Sequence, residues 1–422
     1  MNGRYLPRIA DQKLQLLLAT SGAVLIVGPK WCGKTRTAEE VAASILYLQD
    51  PDRTEEYILL AKSVPSMLLE GETPRLIDEW QMAPVLWDAV RFAVDKRRLR
   101  GQFILTGSMV PPITNDMHTG TGRISRMTMR TMSLFESGES TGGISLKALF
   151  EGDDGMSGES KISIERTAFI LTRGGWPEAV GEKNEQYALQ MVYNYLDSVA
   201  HQDMSRIDEV KRNPDRVYAL LRSIARNIST EVNTQTLLRD LIANDEGLSD
   251  KTINNYIDAL KKLYVTEDLR AWSPHLRSKR AIRKTAKRHF IDPSIAAAAL
   301  RADRNKLMSD FQTFGYLFES LCIRDLRIYA DRLDGTVYHY RDQIGVEVDA
   351  IVQLKDERWG AIEIKMGQGE IEKAAQKLIE FKNSIDTERT PLPSFLMVLT
   401  GTQFAFKLPN GVWVVPIGCL KD

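Results

Sequence analysis

The feature that most constrains this chain is the stretch Val24-Leu25-Ile26-Val27-Gly28-Pro29-Lys30-Trp31-Cys32-Gly33-Lys34-Thr35. An apolar, β-branched run reads as a buried strand, and it feeds into a loop with the spacing G-x-x-x-x-G-K-T followed by a helical pattern. Glycines at these places let the backbone turn tightly, so that successive N–H groups face phosphate oxygens. The order strand, loop, helix therefore predicts a phosphate-binding loop. Gly28, Pro29, Lys30, Trp31, Cys32, Gly33, Lys34, Thr35 and Arg36 are the candidate nucleotide contacts. Lys34 is placed to reach the β- and γ-phosphates of ATP, and the Thr35 hydroxyl to hold Mg²⁺.

Further strands add the chemistry. Pro74-Arg75-Leu76-Ile77-Asp78-Glu79-Trp80 reads as a short strand ending in two carboxylates. Triphosphate hydrolysis needs one carboxylate beside the hydrated Mg²⁺ and one beside the attacking water; Asp78 suits the first role and Glu79 the second. Gln102 to Ser108 reads as a buried strand ending in hydroxyls, with Thr106 and Ser108 placed to sense the γ-phosphate or orient the water. Arg123 and Arg126 precede an alternating strand expected over Met127 to Leu134. An arginine there is a candidate to enter a neighbouring subunit's nucleotide and stabilise transition-state charge. Between these motifs, Thr37 to Leu48 is expected as an amphipathic helix and Tyr57 to Leu60 as a second strand.

A chain of 422 residues is long enough for two to four domains. Its charges balance at 56 against 56, so any nucleic-acid footprint must be local. Cys32, Cys322 and Cys419 stand far apart and away from the histidines, which predicts a reducing compartment and no structural zinc. The first residues lack the apolar core of a signal peptide, and no apolar segment approaches the ~20 residues that span a bilayer. The expectation is a cytoplasmic protein with no membrane partner.

Glu136 to Ser160 is rich in Gly, Ser and acidic residues and reads as a flexible excursion. Arg173-Gly174-Gly175-Trp176-Pro177-Glu178 then punctuates the entry to a helical stretch. From Arg216 the apolar spacing gives three short helices, the last opening at a Ser249 cap, the pattern of a helix-turn-helix. Lys251 and Thr252 stand near the start of that third helix, where base edges or phosphates are met. Tyr264 to Trp272 suits the first strand of a wing. Arg277, Lys279, Arg280, Arg283, Lys284, Lys287 and Arg288 follow within about a dozen residues containing no acid. Such a run predicts DNA binding by counterion release, with Lys251, Thr252, Arg277, Arg280, Lys284 and Lys287 as the candidate contacts.

Near the C-terminus, Glu319 sits in a helical apolar stripe, and a carboxylate buried there needs a partner or a metal. Alternation along strands puts Glu347 and Asp349 on one face, and Glu363 and Lys365 on one face of the next. If the faces coincide, these carboxylates are candidates to bind Mg²⁺, with Lys365 orienting a nucleophile. The plainer reading is two amphipathic strands with charged outer faces.

The motif order resembles the AAA+ ATPases, and more closely the bacterial and archaeal group that pairs an AAA domain with a C-terminal DUF4143 region. The phosphate loop, Ile77-Asp78-Glu79 with Pro84 and Leu86, Gly101 to Ser108, Gly122-Arg123, Met132 to Glu136 and Gly174 to Glu178 carry the resemblance. It implies ring assembly, commonly hexameric, with ATP sites at subunit interfaces and an arginine acting in trans. It also places Arg173 in a lid region, where it could meet the phosphates. The last segment is similar to the PD-(D/E)XK nuclease fold at Glu319, Asp349, Glu363 and Lys365, with Val348-Asp349 in place of Pro-Asp. Such domains cleave DNA or serve as non-cleaving clamps.

The expected architecture is α/β: a P-loop AAA+ domain with a parallel sheet (1–138), a linker and helical lid (139–205), a winged-helix domain with the basic segment (206–300) and a restriction-endonuclease-like α/β domain (301–422). The first functional expectation is an oligomeric, DNA-binding ATPase that remodels or translocates DNA. A Mg²⁺-dependent nuclease gated by ATP, and a nucleotide-switched signalling scaffold without a DNA role, are the alternatives.

Overall fold

The computed structural model describes residues 5–108, 120–208, 210–242, 249–274, 285–342 and 345–422. Arg277, Lys279, Arg280, Arg283 and Lys284 lie outside them. The chain divides into two compact units. The first holds the residues up to Thr131 with Arg206–Val210 and Lys262–Tyr264; the second holds Met132–Ser205, Lys211–Lys261 and Val265–Asp422.

In the first unit, β1 (Ala23–Val27), β2 (Ser44–Tyr47), β3 (Arg75–Asp78), β4 (Phe103–Gly107) and β5 (Ile124–Thr128) form one sheet in the order β2-β3-β4-β1-β5. All four pairings are parallel. β1 and β4 are buried along their whole length, as strands covered on both faces must be. Successive side chains of β1 serve two cores: Ala23, Leu25 and Val27 pack with Leu46, Ile77, Trp80 and Leu105, whereas Val24 and Ile26 pack with Leu14, Leu18, Ile104 and Met127.

Three local expectations change here. The helix after the phosphate loop spans only Lys34–Glu39. The Ala43 N–H instead donates to the Pro74 carbonyl at 2.8 Å, and Ser44–Tyr47 joins the sheet beside β3, so strand pairing overrides the helical propensity of the alanines. Tyr57 to Leu60 is not a strand but part of the helix Thr54–Ser63, whose buried Tyr57 and Ala61 fall at helical spacing. The last strand starts three residues earlier than expected and ends at Thr128, because its register with β1 runs from Ala23↔Ile124 to Val27↔Thr128.

The second unit centres on a seven-stranded mixed sheet. Its strands are β7 (Gly158–Glu159), β8 (Gly335–Arg341), β9 (Glu347–Leu354), β10 (Trp359–Lys365), β11 (Phe395–Thr400), β12 (Phe404–Lys407) and β13 (Trp413–Pro416), in the order β7-β12-β13-β11-β10-β9-β8. The helix Ile371–Ser384 crosses between the parallel strands β10 and β11 and buries Ile371, Ala374, Ala375, Leu378 and Phe381 against Trp359, Ala361 and Val398. The 22-residue helix Phe311–Arg332 packs against β8, β9 and β10.

The expected flexible excursion is ordered structure instead. Gly158–Glu159 extends the large sheet beside β12, and β6 (Ile144–Ser145) pairs with β14 (Leu420–Lys421). Glycine and serine there permit close approach rather than looseness: a Cβ on Gly143 would come within 2.7 Å of the Ser157 carbonyl oxygen. Helices Pro214–Arg226, Thr234–Ile242 and Asp250–Lys262 follow the spacing read from Arg216 onward. After them, Thr266 bridges Phe290 and Leu269 bridges Lys287 in antiparallel fashion, so the two flanks of the basic stretch pair with each other. The Trp272 N–H donates to the His339 carbonyl, which ties this hairpin to β8.

Candidate nucleotide site and a carboxylate–lysine cluster

The loop Gly28–Gly33 lies at the carboxyl end of β1. Its shape depends on glycine at both ends. Gly28 has φ +149°, and a Cβ there would meet the Met129 carbonyl oxygen at 2.1 Å; Gly33 turns the chain into the helix at φ 97°. Arg8, which no sequence motif marks, braces the loop: its buried guanidinium donates to the Cys32 and Arg130 carbonyls at 2.7 and 2.8 Å. Lys34 Nζ donates to the carbonyls of Gly28 and Pro29 at 3.1 and 2.7 Å, folded over the loop it serves. Trp31 is exposed and held in the left-handed region at φ 65°. Arg36 turns outward to Glu39 and Glu40, at 3.1 and 2.7 Å.

Asp78 ends β3, fully buried, and three neutral donors converge on it. Thr35 Oγ1 and Thr106 Oγ1 donate to Oδ1 at 2.7 and 2.6 Å, and Gln49 Nε2 to Oδ2 at 3.2 Å. No ammonium or guanidinium takes part in these three hydrogen bonds. An alcohol oxygen beside a carboxylate oxygen is the hard donor set that Mg²⁺ prefers, so Thr35 and Asp78 fit that ion. Glu79 follows in the left-handed region at φ 54°, a strained conformation that turns its side chain back toward β4. Gln81 Nε2 donates to its Oε2, and Ser108 Oγ reaches the same oxygen at 3.4 Å. Burial raises the Glu79 carboxyl above its ordinary value and Asp78 adds to the rise, while Lys34 and the Gln81 hydrogen bond oppose it. Gln49 and Gln81 are invisible to motif spacing. The one signal that points to Gln81 is that an amide two residues after Glu79, in a tight turn, can fold back on it.

Arg123 is exposed and paired with Asp95 at 2.8 Å. Since Ile124 lies beside Ala23, at the opposite end of β1 from the phosphate loop, Arg123 cannot serve its own chain's nucleotide. Arg126, also exposed, donates to the Tyr264 hydroxyl. Arg173 is buried and bound to Glu139 at 3.0 Å and to the Gly174 carbonyl at 3.1 Å, so the lid expectation for it gives way to an internal ion pair.

In the second unit, the register of β9 against β10 pairs Ile351 with Ala361 and sets Asp349 and Glu363 side by side. Glu319, Asp349, Glu363 and Lys365 come together, whereas Glu347 turns to Arg341 at 3.0 Å. Two further lysines enter. Lys287 Nζ lies 2.9 Å from Glu319 and 3.9 Å from Asp349; Lys365 Nζ lies 3.5 Å from Asp349 and 3.2 Å from Glu363; Lys377 Nζ lies 2.8 Å from Glu363. Lys287 is therefore not a DNA-contacting surface lysine. Its side chain is 12% exposed, because the hairpin pairing with Leu269 carries it inward. Arg288 is likewise internal, bound to Asp268 at 2.8 Å. Lys251 is exposed, and the Thr252 N–H donates to the Ser249 cap at 3.2 Å.

Burial pushes the Glu319 carboxyl up to about 7 despite Lys287. Burial also opposes ionisation of Asp349, yet Lys365 and Lys287 outweigh it and hold that carboxyl below its ordinary value. Glu363 is raised, by burial first and Asp349 next. Among the described residues no group of three or more His, Cys, Asp or Glu side chains is disposed to hold a metal ion. The Mg²⁺ expected for this cluster does not fit the residues as they are arranged, since ammonium groups already answer each carboxylate.

Three stretches of the chain match known families. Residues 20–137 match the family described as an AAA domain, residues 164–306 a domain of unknown function, DUF8612, and residues 314–420 another, DUF4143. Uncharacterized proteins of Mycobacterium bovis and Mycobacterium tuberculosis are each 22% identical over 360 residues, 85% of this chain and 73% of theirs. Among solved structures, a Walker-type ATPase of Pyrococcus abyssi is 14% identical with a TM-score of 0.41, covering 68% of this chain and 94% of its own. AMPPCP-bound DnaA of Aquifex aeolicus is 11% identical with a TM-score of 0.28, covering 60% and 86%. Likeness as slight as these two carries no argument about activity. No helix among the described residues is long and apolar enough to cross a membrane. Residues 20–137 thus resemble an AAA domain and residues 314–420 a DUF4143 region.

Proposed function

We propose that this chain is an oligomeric ATPase that binds DNA and couples ATP hydrolysis to remodelling or translocating it. The observation that carries the reading is the meeting of Thr35, Asp78, Thr106, Glu79 and Ser108 at the ends of adjacent parallel strands, beside a glycine-shaped loop and Lys34. The loop amides and Lys34 hold the phosphates. Lys34 exchanges its two loop carbonyls for phosphate oxygens, so it needs no new position in the fold. Thr35 and Asp78 would hold Mg²⁺, which would supply neutralisation of phosphate charge there. Glu79, raised by burial and oriented by Gln81 and Ser108, accepts a proton from the attacking water.

The place of Arg123 on the far end of the sheet supports action on a neighbouring subunit's nucleotide, and hence a ring, hexameric in this reading. DNA binding is supported by the three-helix run with Lys251 exposed near the start of the third, followed by a hairpin whose flanks bracket Arg277, Arg280 and Lys284. Cleavage of DNA forms no part of the reading.

The test is steady-state ATPase activity of the full chain, alone and with duplex, forked and junction DNA. Turnover stimulated by at least one DNA and lost in Lys34→Ala, with an unchanged melting temperature, is the expected result. Normal turnover in a pure Lys34→Ala preparation overturns the site, and ATPase activity indifferent to every DNA overturns the coupling.

A further inference from the structure

The cluster around Asp349 has an order that its separate ion pairs conceal. Followed from side chain to side chain, it reads Glu319, Lys287, Asp349, Lys365, Glu363, Lys377: carboxylate and ammonium in strict alternation, with successive separations of 2.9, 3.9, 3.5, 3.2 and 2.8 Å. Three negative charges meet three positive ones, so with all six ionised the row is neutral. Lys287 stands between Glu319 and Asp349 and answers both. Backbone hydrogen bonds in both directions with Leu269, each 2.9 Å, fix its main chain, so its ammonium is built into the fold.

A cation placed between Glu319 and Asp349 would displace Lys287 or be repelled by it. Like charges a few ångströms apart in a buried place repel strongly, because the surroundings screen them little. Removing the ammonium shifts the balance: Glu319 loses its counter-ion while Asp349 keeps only Lys365, at 3.5 Å, and two buried carboxylates then face each other with one charge uncompensated, an arrangement that recruits either a proton or a metal.

We infer that Lys287 is a resident substitute for a divalent cation, so that the Glu319–Asp349–Glu363 cluster binds no metal in the native chain and becomes a metal site only when Lys287 is removed. The inference concerns the second unit alone and stands whether or not the protein hydrolyses ATP or binds DNA. It makes the cluster a structural fastening, through Lys287, of the hairpin onto the helix Phe311–Arg332 and β9. A metal-dependent hydrolytic centre is thereby excluded in the resting fold.

The experiment is titration of the nucleotide-free full chain with Mn²⁺ at pH 8, with free Mn²⁺ followed by electron paramagnetic resonance. Asp78→Asn is carried in every sample to silence the other candidate site. Wild type at Lys287 is expected to show no Mn²⁺ binding that Asp349→Asn abolishes. Lys287→Met is expected to gain one site per chain, at least about tenfold tighter than any in the parent, corresponding to about 1.4 kcal/mol, and to lose it when Asp349→Asn is added. Lys287→Arg, which keeps the charge, is expected to gain none. An Asp349-dependent Mn²⁺ site in the parent overturns the inference and needs no Lys287 variant to be observed. A folded Lys287→Met chain that binds no Mn²⁺ overturns it equally.

Discussion

Both units gather carboxylates in largely buried clusters, and they treat them in opposite ways. Asp78 receives two hydroxyls and an amide, and Glu79 an amide and a hydroxyl; these donors orient the carboxylates and leave their charge in place. Asp349, Glu319 and Glu363 receive ammonium groups, which cancel their charge. Neutral donors prepare a carboxylate for a cation or a proton that arrives later. Charged donors complete it. The contrast separates a donor set that can accept a cation from one that already contains its counter-ion, although both present the same residue types at the sequence level.

The sharpest break in this contrast comes from the residue to which the proposed function gives the role of base. Glu79→Gln keeps shape and hydrogen bonding but removes the proton acceptor, and kcat is expected to fall by about 10²–10⁴ with ATP binding retained. In the parent protein kcat is expected to decline as pH falls through the Glu79 pKa. Because burial raises that carboxyl, the decline is expected above the ordinary carboxylate range. A decline centred at or below the ordinary value of 4.5 would remove Glu79 from the role of base.

The basic stretch sharpens the comparison at the next level of effect. Neutralising Arg277, Arg280 and Lys284 together is expected to weaken DNA binding and to flatten its logarithmic salt dependence by roughly 0.9 for each phosphate no longer neutralised. Lys287→Ala, only three residues beyond Lys284, is expected to leave that slope unchanged and instead to destabilise the fold by about 3–5 kcal/mol, since it strands buried Glu319. Salt-dependent binding assays and chemical denaturation separate the two. An unchanged fold with a lowered salt slope in Lys287→Ala would return that lysine to the DNA surface.

The smallest effect concerns stability against pH. With the Glu319 carboxyl raised from 4.5 to about 7, the folded chain holds a proton that the unfolded chain has released across that interval. Its contribution is therefore fully present below about 4.5 and lost as pH rises through about 7. Glu319→Gln should show a shallower fall in melting temperature between pH 5 and pH 8 than the parent; an equal or steeper fall would contradict the assignment.

Spacing alone makes the phosphate loop, Asp78, Glu79 and the strand leading to Ser108 legible, because the backbone geometry that cradles phosphate requires glycines at fixed offsets. The convergence of Asp349, Glu363 and Lys365 is legible from strand alternation. What a chain of letters does not carry is partnership across long sequence separations. Lys287 reads as one more member of a basic run until the antiparallel bridge to Leu269 turns it inward. Arg173 reads as a phosphate contact until Glu139 claims it, and Arg8 reads as nothing at all until it is found holding the Cys32 carbonyl. The Gly- and Ser-rich stretch before Ser160 shows the same limit, because its sheet partners lie far away in β12 and β14.

Counting Mn²⁺ ions bound per otherwise native chain at pH 8, with a saturating non-hydrolysable ATP analogue, tests most directly whether charge compensation decides where the cation goes. One ion is expected, absent in Asp78→Asn and retained in Asp349→Asn. No ion in the presence of bound nucleotide, or a second ion that disappears in Asp349→Asn, would contradict the account.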